Sequence, residues 1–113
     1  MSKTEEKVEK YVQDIKDKMG EDPDVDLLRK VTLACGPSIF QSDAETISSS
    51  SPEELETVKQ NFMIKKLGLK DDKNLDAGLE LVIEKYGTSN RNKYRAVVYY
   101  LLTKFYKKEA IFN

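Results

Sequence analysis

Histidine is absent from this sequence of 113 residues, and no other feature of the composition excludes as much. Without histidine there is no Ser–His or Cys–His nucleophile pair, no imidazole ligand for a metal and no side chain that ordinarily titrates near neutral pH. Lysine, aspartate, glutamate and tyrosine can move protons, but only after strong tuning of their pKa values. We therefore expect a protein that is not an enzyme, with no catalytic residue, no cofactor and no metal site.

Cysteine and long apolar runs are also scarce. The single cysteine, Cys35, excludes a disulfide bond within the chain. The longest uninterrupted apolar run, Ala96 to Leu102, is far shorter than the roughly 20 residues that span a bilayer. The first seven residues are densely charged and lack the apolar stretch of a secretory signal. We expect a cytoplasmic protein that does not enter a membrane.

Ligand-binding motifs are missing as well. No two glycines lie close enough for a nucleotide-binding loop. Asp22, Asp24 and Asp26 have the spacing that begins a calcium loop, but Leu27 and Leu33 occupy the positions where such a loop needs glycine and glutamate. Acids before a helix more simply cap it and favour its dipole. Cys35 falls on an apolar stripe at the end of the next predicted helix, which favours a buried structural cysteine.

Apolar residues recur every three or four positions along nearly the whole chain, which is the period of an amphipathic α-helix. The alternation typical of half-buried strands is missing. Apolar residues make up 39% and charged residues 35% of the chain, as in ordinary globular proteins, and the length suits one domain. The sequence predicts a single all-α domain over residues 1–113. It would be a bundle or orthogonal array of about five helices, with room for a short extra helix in residues 37–50.

Helix boundaries follow from caps and glycines. Ser51, followed by Pro52 and by Glu54, is a typical helix start. Other helices are expected to begin at Asp22 or Asp24, at Asp71 or Asp72, and at Ser89 or Asn90. Four of the five glycines stand where helices are expected to end: Gly20, Gly36, Gly68 and Gly87.

The formal net charge of −1 conceals a marked asymmetry along the chain. Residues 1–57 carry 7 basic and 14 acidic side chains, whereas residues 58–113 carry 12 basic and 6 acidic ones. A basic half with interleaved tyrosines is a pattern that also occurs in proteins that bind nucleic acids. However, duplex-binding domains usually have a pI above about 9, and this chain has a pI of about 5.6. The balance argues against nucleic acid as the partner.

The start of the fifth predicted helix breaks a local rule. Helix N-termini favour acids, yet Arg91, Lys93 and Arg95 occupy the first turns and no acid occurs from Thr88 to Lys108. Two explanations are open. Acids of the first half, for example those at positions 22, 24 and 26, could pair with these cations. Alternatively, the cations and the free backbone N–H groups form a site for a small external anion.

The same helix carries a cluster of tyrosines. Tyr99, Tyr100 and Tyr106 flank an apolar stripe that makes the helix hydrophobic on most sides. Such a helix is typically central and buried. The alternative is an exposed tyrosine-rich surface that contacts a protein partner or a second copy of the chain, since tyrosine and arginine are enriched in interfaces.

Four stretches carry a resemblance to a known family: Gly36-Pro37-Ser38-Ile39-Phe40, Asn61-Phe62, residues 65–69 and residues 89–97. In this order they resemble a small bacterial family catalogued as domain of unknown function 2853. The resemblance covers most of the chain, and its last stretch is the most specific. It implies a compact all-helical protein without an assigned activity, so it transfers no functional residues.

These features favour a binding role over catalysis. The leading hypothesis is a non-catalytic protein-interaction module that acts through the tyrosine-rich C-terminal helix, with Tyr99, Tyr100 and Tyr106 as its surface. The alternative is a domain that binds an anion or small molecule through Arg91, Lys93 and Arg95.

Overall fold

Five α-helices and three shorter helical segments make up most of the part of the chain that the structure describes. The computed structural model describes residues 3–41, 44–48, 50–87 and 93–112. The α-helices are α1 (Lys3–Met19), α2 (Val25–Cys35), α3 (Pro52–Val58), α4 (Lys73–Tyr86) and α5 (Arg95–Phe105). A π-helical segment, Lys59–Ile64, continues α3, and 3₁₀ helices follow α2 (Gly36–Phe40) and α5 (Glu109–Phe112). The predicted all-α fold of about five helices is confirmed.

Helix starts match the predicted caps at three places. The side chain of Asp24 accepts a hydrogen bond from the backbone N–H of Leu27 at the start of α2, and Ser51 does the same for Glu54 at the start of α3. Asp72 caps α4 through Asn74. These contacts satisfy N–H groups that a helix leaves without a partner inside it.

Helix α5 is the hydrophobic centre of the fold. Every residue from Ala96 to Thr103 is buried, and α5 packs against α1, α2 and α4. The surrounding helices each pack an apolar stripe into the core that α5 fills. These stripes include Tyr11 and Ile15 of α1, Leu28 and Val31 of α2, and Leu79 and Val82 of α4. Burial of each such side chain contributes on the order of 2 kcal/mol to stability.

The fifth helix begins later than the sequence predicts. Ser89 and Asn90 lie outside the described residues, but Lys93 is not helical and Tyr94 is an extended N-cap with φ −66° and ψ 131°. Tyr94 forms an antiparallel bridge with Thr46. The bridge is closed by hydrogen bonds from Ile47 N–H to the Lys93 carbonyl (2.8 Å) and from Arg95 N–H to the Glu45 carbonyl (2.7 Å). Pairing with a distant segment thus decides where α5 starts.

Glu45 joins this bridge to α1. Its carboxylate accepts hydrogen bonds from the Tyr11 hydroxyl (2.7 Å) and from the ammonium groups of Lys7 (3.0 Å) and Lys10 (3.2 Å). Burial alone would raise the pKa of Glu45, but these hydrogen bonds and the charge of Lys10 outweigh it and lower the pKa below its ordinary 4.5. The ionised carboxylate is therefore the form that the fold stabilises.

The C-terminal end of α5 approaches α4 closely at Gly78. A Cβ atom at Gly78 would overlap the Tyr106 hydroxyl group and come within 3.3 Å of the Phe105 ring. The missing side chain makes room for the Tyr106 ring on α4, although glycine inside a helix costs up to about 1 kcal/mol relative to alanine.

We predict that Glu45→Gln lowers the free energy of unfolding by about 1.5–3 kcal/mol at pH 7, because it removes charge-assisted hydrogen bonds. Glu9→Gln, at an exposed position of α1, is the control and should stay within about 0.5 kcal/mol of wild type. Urea unfolding followed by circular dichroism measures both.

The difference between wild type and Glu45→Gln should also depend on pH. The pKa of Glu45 is lower in the folded state than in the unfolded state. Its contribution to the free energy of unfolding is therefore fully present above a pH of about 4.5 and is lost as the pH falls through the folded pKa. The gap between the two proteins should therefore narrow under acid conditions. A gap that is constant from pH 7 to pH 3 would contradict this account.

A double-mutant cycle tests the contact at Gly78. In a Tyr106→Ala background, Gly78→Ala should raise the free energy of unfolding by about 0.5–1 kcal/mol through helix propensity. With Tyr106 present, this gain should vanish or reverse because the new methyl group displaces the ring. An equal gain in both backgrounds would show that the approach of Tyr106 does not depend on glycine.

Candidate functional site

A cleft opens beside the first turn of α5, where α2, the 3₁₀ helix that follows it, the π-helical segment and residue Ala44 meet. We call it the Arg95 cleft. Its volume is about 430 Å³, and its described lining comprises two cations (Lys66, Arg95), four polar residues (Ser38, Thr57, Asn61, Tyr99) and four small or apolar ones (Ala34, Cys35, Ala44, Phe62). Of these residues none is acidic.

The π-helical segment shapes one wall of the cleft. Asn61 and Phe62 belong to it, and Thr57 lies just before it in α3. π-Helical turns are rare and often occur at functional sites, since they turn side chains away from the regular helical spacing. Here the Phe62 ring stacks on Tyr99, with centroids 4.0 Å apart and planes 12° from parallel. This pair forms an aromatic floor.

Arg95 is held in place by three contacts. Its Nε–H donates to the Ala44 carbonyl (2.8 Å), Nη1 donates to the Tyr99 hydroxyl (3.0 Å) and Nη2 donates to a carboxylate oxygen of Glu54 (3.3 Å). Burial alone would lower the pKa of Arg95, but Tyr99 and Glu54 raise it, so the guanidinium stays charged. A fixed cation therefore lies against the cleft.

Two other ionisable groups of the cleft are held neutral. Burial raises the pKa of the Cys35 thiol to about 12, and the nearby charge of Arg95 opposes this only in part. Burial also raises the pKa of Tyr99. Neither group ionises near neutral pH, and Cys35 fits the interpretation of a structural cysteine.

Of the three cations expected at the start of α5, the structure describes Arg95 and Lys93, and these two lie in different surroundings. Arg95 lines the cleft. Lys93 is only 3% exposed, and burial together with the charge of Lys18 on α1 lowers its pKa. Arg91 lies outside the described residues. Of the two described members of the predicted trio, Arg95 lines the cleft and Lys93 does not.

The suggestion that an acid of the first half pairs with these cations agrees with the partner of Arg95, which is Glu54, but the example at positions 22, 24 and 26 needs a correction. Arg95 pairs with Glu54 of α3 and not with the acids before α2. Asp24 instead caps α2, and Asp26 pairs with Arg29 on its own helix (3.3 Å). The physical reason is position: α2 passes α5 near Tyr100, whose hydroxyl accepts the backbone N–H of Asp24 (2.8 Å), whereas the Arg95 side chain extends to α3.

The tyrosine surface needs a second correction. Tyr99 and Tyr100 are 8% and 5% exposed, so their rings belong to the core and the expectation that they form an exposed surface is wrong. Tyr106 is half-buried against α4. The central position of α5 explains the difference, because neighbouring helices cover its flanks as well as its apolar stripe.

A second depression runs between α4 and α5, and we call it the Leu81 groove. Its volume is about 290 Å³, and its lining combines apolar side chains (Leu81, Val82, Leu101, Phe105), Tyr100 and three charged residues (Glu21, Lys85, Lys104). Leu81 and Phe105 are 52% and 48% exposed. Ion pairs border it, from Lys85 to Glu21 (3.2 Å) and from Lys104 to Glu109 (3.8 Å).

Sequence reasoning missed most of the cleft. The sequence does not predict that four of the lining residues meet, namely Ser38, Thr57, Asn61 and Lys66. The apolar period of the sequence does not predict the π-helical segment, which contains Asn61. Four lining residues other than Arg95 do lie in or beside the stretches quoted for the family resemblance, namely Ser38, Asn61, Phe62 and Lys66. That coincidence was the available signal.

Neither a metal-binding cluster nor a membrane-spanning helix is found in the described residues. No group of three or more Cys, Asp or Glu side chains could hold an ion there. Likewise, none of the helices in residues 3–41, 44–48, 50–87 and 93–112 is long and apolar enough to cross a bilayer.

Comparison with known proteins gives a family without an assigned activity. No curated protein matches the sequence. The family described as "Protein of unknown function (DUF2853)" matches residues 10–110, which is nearly the whole chain. All described lining residues of the Arg95 cleft and of the Leu81 groove lie within this range. This protein therefore belongs to the DUF2853 family.

Proposed function

We propose that this chain is a non-catalytic binding protein of the bacterial cytoplasm and that the Arg95 cleft takes a small anionic molecule. The observation that carries the proposal is the lining: two cations, and no acid among the ten described lining residues, around a volume of about 430 Å³. Clefts that hold small molecules in proteins commonly range from about 300 to 1,000 Å³.

Unused hydrogen-bond donors support an anion as the ligand. A guanidinium has five N–H groups, and the three contacts of Arg95 each use one of them. Among the described residues nothing uses the other two N–H groups, which remain for a ligand. Lys66 lines another wall, and its ammonium group lies 5.2 Å from the centre of the Phe112 ring. Charge-assisted hydrogen bonds to an anion are about twice as strong as neutral ones.

The remaining walls favour a ligand with an apolar part. Phe62, Ala44 and Cys35 contribute carbon and sulfur surface, and Cys35 stays protonated. A general base near neutral pH would need a different environment, since the pKa values of Cys35 and Tyr99 are both raised. These features support binding without chemistry.

Titration with an anion tests the proposal. Inorganic phosphate and benzoate serve as probes, and ¹⁵N-resolved NMR follows the amide signals of residues in the cleft. Lys66→Ala should weaken binding roughly fivefold, about 1 kcal/mol, because it removes a partly exposed cation. Rising salt concentration should weaken binding too.

Lys65→Ala is the matched control, because Lys65 is an exposed neighbour of Lys66 that does not line the cleft. Its affinity for either probe should stay within about twofold of wild type. The proposal is wrong if neither anion shifts the signals of the cleft, or if the two lysine variants weaken binding equally.

A second candidate function is self-association through the Leu81 groove. Two exposed apolar side chains, Leu81 and Phe105, lie near two ion pairs, Lys85–Glu21 and Lys104–Glu109. A two-fold interface must be self-complementary. The acids Glu21 and Glu109 of one copy can face Lys85 and Lys104 of another, which favours a second copy of this chain as the occupant.

Analytical ultracentrifugation over a concentration series tests this candidate. Leu81→Lys should weaken self-association at least tenfold, because it places a charge in the apolar centre of the groove. Leu33→Lys is the matched control, since Leu33 is 59% exposed on α2 and does not line the groove. A wild-type protein that sediments as a monomer throughout the series would rule self-association out.

A further inference from the structure

Glu54 stands at the edge of the Arg95 cleft. It lies three residues before Thr57 in α3, and Thr57 lines the cleft. Residues at this spacing share one face of a helix. The Glu54 side chain is 31% exposed, whereas that of Arg95 is 12% exposed. The carboxylate thus reaches a buried cation from the solvent side.

The contact with Glu54 is the loosest of the three that Arg95 makes. Its length, 3.3 Å, exceeds those to Ala44 (2.8 Å) and Tyr99 (3.0 Å) and lies beyond the usual range for an N–H···O hydrogen bond. Ala44 and Tyr99 therefore hold the guanidinium, and Arg95 would keep its position without Glu54. The described residues offer Glu54 no second cation.

We propose that Glu54 is a tethered counter-ion that the carboxylate of a ligand displaces from Arg95. The position already accepts a carboxylate, and the planar fork of arginine matches this group. An anion that entered while Glu54 stayed would meet a like charge nearby. Glu54 is exposed enough to swing into solvent when the ligand arrives.

The same geometry narrows the class of ligand to small monocarboxylates with an apolar body. The carboxylate takes the place of Glu54 on Arg95, and the body lies against Phe62 and Ala44. Inorganic phosphate has the charge but no apolar part. This inference rests on the proposed anion-binding function. It adds that the charged group of the ligand is a carboxylate and that Glu54 sets the affinity for it.

Glu54→Gln tests the inference, with benzoate and inorganic phosphate as probes. Loss of the competing charge should tighten benzoate binding about tenfold, a free-energy change of about 1.4 kcal/mol. Glu53→Gln removes an equal charge from the same helical turn, where Glu53 has no ion pair with a described residue, and should change affinity less than twofold. NMR titration gives the affinities, and the Arg95 Nε–H signal reports on the site directly.

Glu54→Asp separates local competition from net charge. It keeps the acid in the first turn of α3 but shortens the side chain, so benzoate should bind more tightly than to wild type and less tightly than to Glu54→Gln. It also keeps the inference testable if Glu54→Gln is poorly folded, which a thermal unfolding curve shows.

The outcomes distinguish the inference from the function on which it rests. If wild type binds benzoate but neither Glu54 variant binds it more tightly, Glu54 is not a competitor, although the cleft remains an anion site. If phosphate binds better than benzoate, the assigned ligand class is wrong. If no variant binds either probe, the inference and the proposed function both fail.

Discussion

The pairing of residues 45–47 with residues 93–95 is the constraint on which the rest of the structure depends. It includes Tyr94, the extended N-cap of α5, fixes Arg95 as the first residue of the helix and brings Glu45 to α1. The hydrogen bonds involved are few. However, they join parts of the chain that are almost fifty residues apart, and both the core helix and the Arg95 cleft are positioned by them.

The charge asymmetry of the sequence is partly resolved by this arrangement. Cations of the second half meet acids of the first half where Arg95 contacts Glu54 and where Lys85 contacts Glu21. The two pairs differ in burial, since Arg95 is largely buried while Lys85 and Glu21 are about half exposed. Exposed pairs contribute little to stability, so the asymmetry matters most at the start of α5.

The sequence predicted the features that depend on residues close together in the chain, and it did not predict those that depend on distant segments. The helices and their caps at Asp24, Ser51 and Asp72 depend on neighbours a few residues away, and these predictions were confirmed. The start of α5 and the partner of Arg95 depend on segments brought together by folding, and the expectations at Ser89 or Asn90 and at the acids before α2 did not describe them.

The residues of the Arg95 cleft show the same difference between local and distant interactions. Arg95 was identified because a cation in the first turn of a helix breaks an electrostatic rule that can be read locally. Thr57, Asn61 and Lys66 were not identified, since their meeting depends on a π-helical turn and on the packing of α3 beside α5. The positions of the tyrosines in the sequence likewise do not show which faces of α5 the neighbouring helices cover.

The sequence by itself determined an all-α domain, the caps of its helices, its family resemblance and the cation that needed a negative partner. Only the tertiary structure decided that Tyr99 and Tyr100 are buried, that Glu54 is the partner of Arg95 and that a cleft lies beside this pair. The physical reason is that helix period and capping are local properties of the backbone, whereas burial and ion pairing depend on the distances between elements that only packing sets.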